Sequence, residues 1–137
     1  IKFIIRFFKF KDIEIINKDI LNLELYKKKF KKLSFIYIDC NVFKPVEKIL
    51  SLLGNKISKN GYIAFDEGLN NKKSGEGKAL NEFYKKKKKK FKLIKLKKNY
   101  QPDVLLKRIK WKSKIQKVCL KKCKLQIAFF HQNKKNN

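Results

Sequence analysis

The sequence predicts an α/β fold in which parallel strands, flanked by helices, are closed on the C-terminal side by an antiparallel hairpin. Three observations carry this. First, Phe35-Ile-Tyr-Ile-Asp-Cys-Asn41 and Gly61-Tyr-Ile-Ala-Phe-Asp-Glu-Gly68 are apolar runs that end abruptly in acidic or amide side chains. Buried parallel strands read this way where they deliver polar residues to the carboxyl edge of a sheet, the ligand edge of open α/β folds. Second, a helix-length amphipathic segment lies between the two runs, so together they read as one βαβ unit. Third, residues 91–96 and 103–109 are two further apolar runs separated by a short turn at Asn99-Tyr-Gln-Pro102, the spacing of a hairpin.

Taken in order, residues 1–10 place Phe3, Phe7 and Phe10 at helical spacing, although Ile and Phe also suit a strand. Ile13, Ile15 and Ile16 form a short strand that ends in polar residues. Residues 20–32 read as a helix or an irregular crossover. Residues 35–38 are a buried strand. Pro45 fits the first turn of a helix that buries Val46, Ile49, Leu50 and Leu53 and stops at Gly54. Lys59-Asn-Gly61 signals a turn, and residues 62–65 form the next buried strand. Residues 67–77 are a polar loop on the side where substrate contacts usually sit. Residues 78–88 form a helix using Ala79, Leu80, Phe83 and Tyr84, and the lysine run 85–90 is its solvated end. Residues 111–137 read as a basic C-terminal extension, either helical through Trp111, Ile115, Val118 and Leu120 or poorly ordered.

Composition narrows the function classes. The 137 residues allow one domain, and 43% hydrophobic residues with 12 phenylalanines argue for a packed globule rather than disorder. No apolar run reaches membrane-spanning length, so no membrane span is expected. Three cysteines, an odd number, suit a reducing cytoplasm. Cys119 and Cys123 lie one helical turn apart, but with His131 the only histidine a structural zinc site is not expected. The net charge of +27 points to nonspecific binding of polyanions such as nucleic acid. However, arginine occurs only at Arg6 and Arg108, and Lys, Asn, Ile and Phe are inflated together, as AT-rich codons would produce. Compositional drift is therefore the preferred reading of the charge. The chain opens on Ile1 and contains no methionine, which reads as a piece of a longer protein.

Four motifs sharpen the fold reading: Tyr37-Ile-Asp-Cys-Asn-Val-Phe-Lys-Pro45, Gly61-Tyr-Ile-Ala-Phe-Asp-Glu-Gly68, Ser74-Gly-Glu-Gly-Lys-Ala-Leu-Asn-Glu-Phe83 and Gln101-Pro-Asp-Val104. In this order, over residues 11–109, they resemble the macrocin O-methyltransferase family of S-adenosylmethionine-dependent methyltransferases. The resemblance makes residues 1–110 the C-terminal part of a Rossmann-like methyltransferase sheet. It implies transfer of a methyl group to a sugar-like hydroxyl with S-adenosylmethionine and Mg²⁺ as cofactors, by a fragment or degenerate copy of the enzyme. It also implies Asp39, Asp66 and Glu67 as metal ligands and Asp19 and Asp39 as cofactor contacts. At the family's general-base position stands Asn41, whose amide cannot accept a proton at neutral pH. Glu67 is longer than the family's aspartate. A noncatalytic module that binds polyanions through the 85–90 lysine ridge and the basic tail is the alternative, and self-association into a homo-oligomer is left open.

Overall fold

The computed structural model describes residues 16, 18–25, 27–69, 75–97, 101–109 and 127–131, the last five by their backbone. After two short 3-10 helices, Ile20–Leu25 and Lys27–Lys29, come β1 (Leu33–Asp39), α1 (Phe43–Leu53), a 3-10 turn (Gly54–Lys56), β2 (Ile57–Phe65), α2 (Gly75–Lys87), β3 (Phe91–Lys95), β4 (Val104–Arg108) and β5 (Ile127–His131). The chain is thus α/β, as its alternating pattern predicts. The sheet order is β3-β4-β2-β1-β5. β1 runs parallel to β2, with Ile36 opposite Ile63 and Ile38 opposite Phe65. β4 lies between β2 and β3 and is antiparallel to both, so the expected hairpin closes the sheet by inserting its second strand.

The core forms where the two periodicities meet. Along β1, Ile36 and Ile38 are fully buried while Phe35 and Tyr37 are only partly so, the alternation of a strand with one packed face. The packed face receives α1 through Val46, Ile49, Leu50 and Leu53, none more than 2% exposed, at helical spacing. Ala79, Leu80 and Phe83 of α2 join the same cluster. Gly54 sits where the helices meet: a β-carbon there would lie 2.7 Å from the Phe83 ring. Its carbonyl accepts a 3.4 Å hydrogen bond from the buried Arg108 guanidinium, which also lies 5.0 Å from the Phe91 ring centre. Burial lowers the pKa of Arg108.

The structure departs from the sequence expectations in three places. β2 starts at Ile57, and the expected turn at 59–61 lies inside it as a bulge. Leu33 pairs with Ile57 and Phe35 with Tyr62, so two steps of β1 span five of β2. The turn chemistry was real: Asn60 has φ 63°, and a β-carbon at Gly61 would meet the Ser34 carbonyl oxygen at 2.7 Å. α2 begins at Gly75, three residues before the expected start at 78, because Gly75 supplies the left-handed entry (φ 56°). Residues 20–25 and 27–29 take the irregular form, as 3-10 turns, with Leu23 buried. Finally, residues 127–131, expected to be helical or poorly ordered, form β5 parallel to β1. Their apolar Ile-Ala-Phe-Phe suits a strand, a signal obscured by the lysine-rich flanks. Residues 1–10, the expected strand at 13–16 apart from Ile16, and the segment 111–126 lie outside the described residues.

Candidate functional site

β1 and β2 are adjacent and parallel, so their carboxyl ends bring Asp39 and Asp66 to one edge. Asp66 N–H donates to the Ile38 carbonyl at 3.0 Å, which extends the pairing one residue past β2. Asp39, Asp66 and Glu67 are all partly exposed there. The Tyr37 hydroxyl donates to Asp66 Oδ1. Burial, followed by the Asp66 hydrogen bond and charge, pushes the Tyr37 phenol well above its ordinary range, so it remains a donor. Burial likewise pushes the Cys40 thiol up to about 12. Cys40 is therefore a small buried residue, as expected, and carries no thiolate at neutral pH.

The centre of this edge is Glu76, in the first turn of α2. Its side chain is buried, with the residue 2% exposed. Glu76 Oε2 accepts from Cys40 N–H at 3.3 Å and Oε1 from Glu67 N–H at 3.0 Å. One carboxylate thereby ties the two strand tips together. Burial raises its pKa to about 7, the charges of Asp66 and Asp39 add to the rise, and the two backbone donors oppose it. α2 can approach this closely because residue 75 is glycine: a β-carbon there would stand 2.5 Å from the Asn41 carbonyl oxygen. Gly75→Ala combines that clash with a left-handed φ of 56°, and we expect a loss of about 2 kcal/mol or more in chemical denaturation.

A second carboxylate supports the edge from behind. Asp103 Oδ2 accepts from Leu69 N–H at 2.8 Å, and Asp103 N–H donates to the Phe65 carbonyl at 3.1 Å. The turn after β2 is therefore held from the strand β4 side. Asp103 Oδ1 is buried without a hydrogen-bond partner.

The residues singled out from sequence distribute as follows. Asp39 and Asp66 come together at the edge, and Glu67 follows in the turn. Asn41 lies beside them with φ 47°, a conformation in which asparagine is favoured over most residues. Its local role is the turn into α1. Asp19 opens the Ile20–Leu25 turn, its Oδ1 accepting from Leu21 N–H at 2.9 Å, so it serves as a cap. Sequence reasoning missed Tyr37, Glu76 and Asp103 as site residues. The detectable signal was Gly75-Glu-Gly77, an acid between two glycines at a helix start, where acids are favoured and backbones approach closely.

Oxygen donors of this kind suit Mg²⁺ chemically. As placed, however, no three His, Cys, Asp or Glu side chains among the described residues form a group able to hold a metal ion. Asp66 is turned to Tyr37 and Glu76 is occupied by backbone donors. The described side chains thus do not make a metal cage. No helix among the described residues is long and apolar enough to cross a membrane. Compared with known protein families, curated proteins and solved structures, the chain matches none.

Proposed function

We propose that the chain is the acceptor-side part of an S-adenosylmethionine-dependent O-methyltransferase of Rossmann-like fold, acting on a sugar-like hydroxyl. The observation that carries this reading is the pairing of Asp39 and Asp66 at adjacent strand ends, cross-tied by the buried Glu76. The order of the four sequence motifs and the inserted antiparallel β4 support it. When bound, S-adenosylmethionine would supply the electrophilic methyl group.

The chain's own groups act on the acceptor. The carboxylates of Asp39 and Asp66 accept hydrogen bonds from neighbouring sugar hydroxyls and orient one of them. The Tyr37 hydroxyl fixes Asp66 by donating to one of its oxygens. Asn41 takes no proton, so the proton released by the hydroxyl passes to a carboxylate of the edge. Glu76 is not that acceptor, because both its oxygens face backbone N–H groups in the interior.

Calorimetry with S-adenosylmethionine tests the reading. Saturable heat is expected from the parent chain, with affinity lowered at least about tenfold in Asp39→Ala, a change of about 1.4 kcal/mol, and unchanged in Asp66→Ala. Asp39→Ala should keep the parent's denaturation midpoint, whereas Asp66→Ala removes the acceptor of the Tyr37 hydroxyl and should cost about 1 kcal/mol. No heat from the parent, or equal affinity in all three proteins, rejects the proposal.

A further inference from the structure

The sheet face opposite α1 and α2 carries a cross-strand row whose composition the methyltransferase reading does not use. Phe35 of β1 pairs with Tyr62 of β2, Tyr62 with Lys107 of β4, and Lys107 with Lys92 of β3. Residues directly opposite one another share a face of the sheet, so two aromatic rings and two ammonium groups stand side by side. The Lys107 ammonium lies 5.7 Å from the centre of the Tyr62 ring. Phe35, Tyr62 and Lys107 are partly exposed and Lys92 is exposed.

At the aromatic end of the row, the bulge of β2 opens a groove of about 460 Å³. Its walls include Phe35 and Tyr62, Ser34, and the exposed Lys59 and Asn60. Beneath lies Ser58, 9% exposed, whose Oγ is buried and has no hydrogen-bond partner. The missing side chain of Gly61 keeps the groove's backbone against Ser34.

We propose that this row and groove bind single-stranded nucleic acid, with bases stacked on Tyr62 and Phe35 and phosphates held by Lys59, Lys92 and Lys107. Charge complementarity selects the occupant: Lys107 and Lys92 continue the row beyond the ring pair and Lys59 lies on the groove wall, in a chain of net charge +27. An anionic polymer alone would explain lysines but not rings set among them. Every nucleobase offers a π face, so an aromatic–lysine surface binds single strands with little regard to sequence. Strand spacing puts Lys92 about 10 Å from Tyr62, so phosphates flanking a stacked base come within reach of both sheet lysines. The site lies towards the amino end of β1, separate from the acidic carboxyl edge, and it does not depend on the methyltransferase reading.

Fluorescence anisotropy with a short labelled oligouridylate tests this on the full chain. Tyr62→Leu is expected to weaken binding at least about fivefold, whereas Tyr62→Phe, which keeps the ring, retains it. Lys107→Gln is expected to flatten the dependence of log affinity on log salt by about 0.7. Heparin and anionic vesicles, which offer charge without bases, should bind Tyr62→Leu and the parent equally. Should Tyr62→Leu alter the circular dichroism, Phe35→Leu replaces it with the same fivefold expectation. Unchanged oligouridylate affinity in the leucine variant overturns the proposal. So does an equal loss in Tyr62→Phe, or an equal loss of heparin or vesicle binding.

Discussion

Glu76→Ala is expected to destabilise the protein by about 2–6 kcal/mol near pH 5, because it strips the partner from two backbone N–H groups, each worth about 1–3 kcal/mol when buried unpaired. The donors concerned are those of Cys40 and Glu67, at the tips of two different strands. The size of the effect depends on pH. The Glu76 pKa rises from 4.5 to about 7 on folding. The folded chain therefore binds the proton more tightly than the unfolded chain, and stability falls as pH rises between those values. Glu76 contributes a decline of about 3 kcal/mol over that window. The cost of the alanine variant should accordingly be largest at pH 5 and smaller at pH 8, where the parent carries a buried charge. Glu76→Gln keeps the shape and one acceptor but cannot titrate. Urea denaturation at several pH values should show the parent declining between pH 4.5 and 7 relative to the glutamine variant. Parallel pH profiles would show that no such proton is linked to folding.

Phe65→Ala is expected to cost about 3–5 kcal/mol at any pH in this range. Phe65 is completely buried at the end of β2, and its carbonyl receives the Asp103 N–H. Removing the ring empties the space between sheet and α2, and the strands on either side cannot close over it. Leu25→Ala provides the contrast. Leu25 is 83% exposed, so its truncation should change stability by less than about 0.5 kcal/mol. Equal losses in the two variants, measured by urea midpoint and slope, would contradict the core assigned to Phe65.

The legible parts of the fold were those where one local signal acted alone. The α1 segment combines Pro45, helical spacing and Gly54, and it forms as expected. The β1 and β2 runs, ending in Asp39 and Asp66, also announce a shared edge. By contrast, the bulge at 59–61 carries a true turn signal, which tertiary pairing places within a strand. β5 was illegible because four apolar residues amid lysines have no local reason to prefer pairing with β1. For the site, acids at strand ends were visible as a pattern. Glu76 was not, because its importance comes from accepting backbone donors 36 and 9 residues away in the chain. Long-range polar satisfaction leaves little trace in a single sequence, apart here from the flanking glycines.

The insertion of β4 between β2 and β3 also has a temporal consequence. β3 is made before β4 yet touches the sheet only through it, so during synthesis residues 91–95 have no strand partner until Arg108 has emerged. The edge of β2 meanwhile stands open, a template for any extended segment nearby. Completion of the sheet is therefore a late event requiring two pairings almost at once. A nascent chain stalled between residues 95 and 104 would expose that edge, and mispairing between neighbouring chains should be greatest at this length.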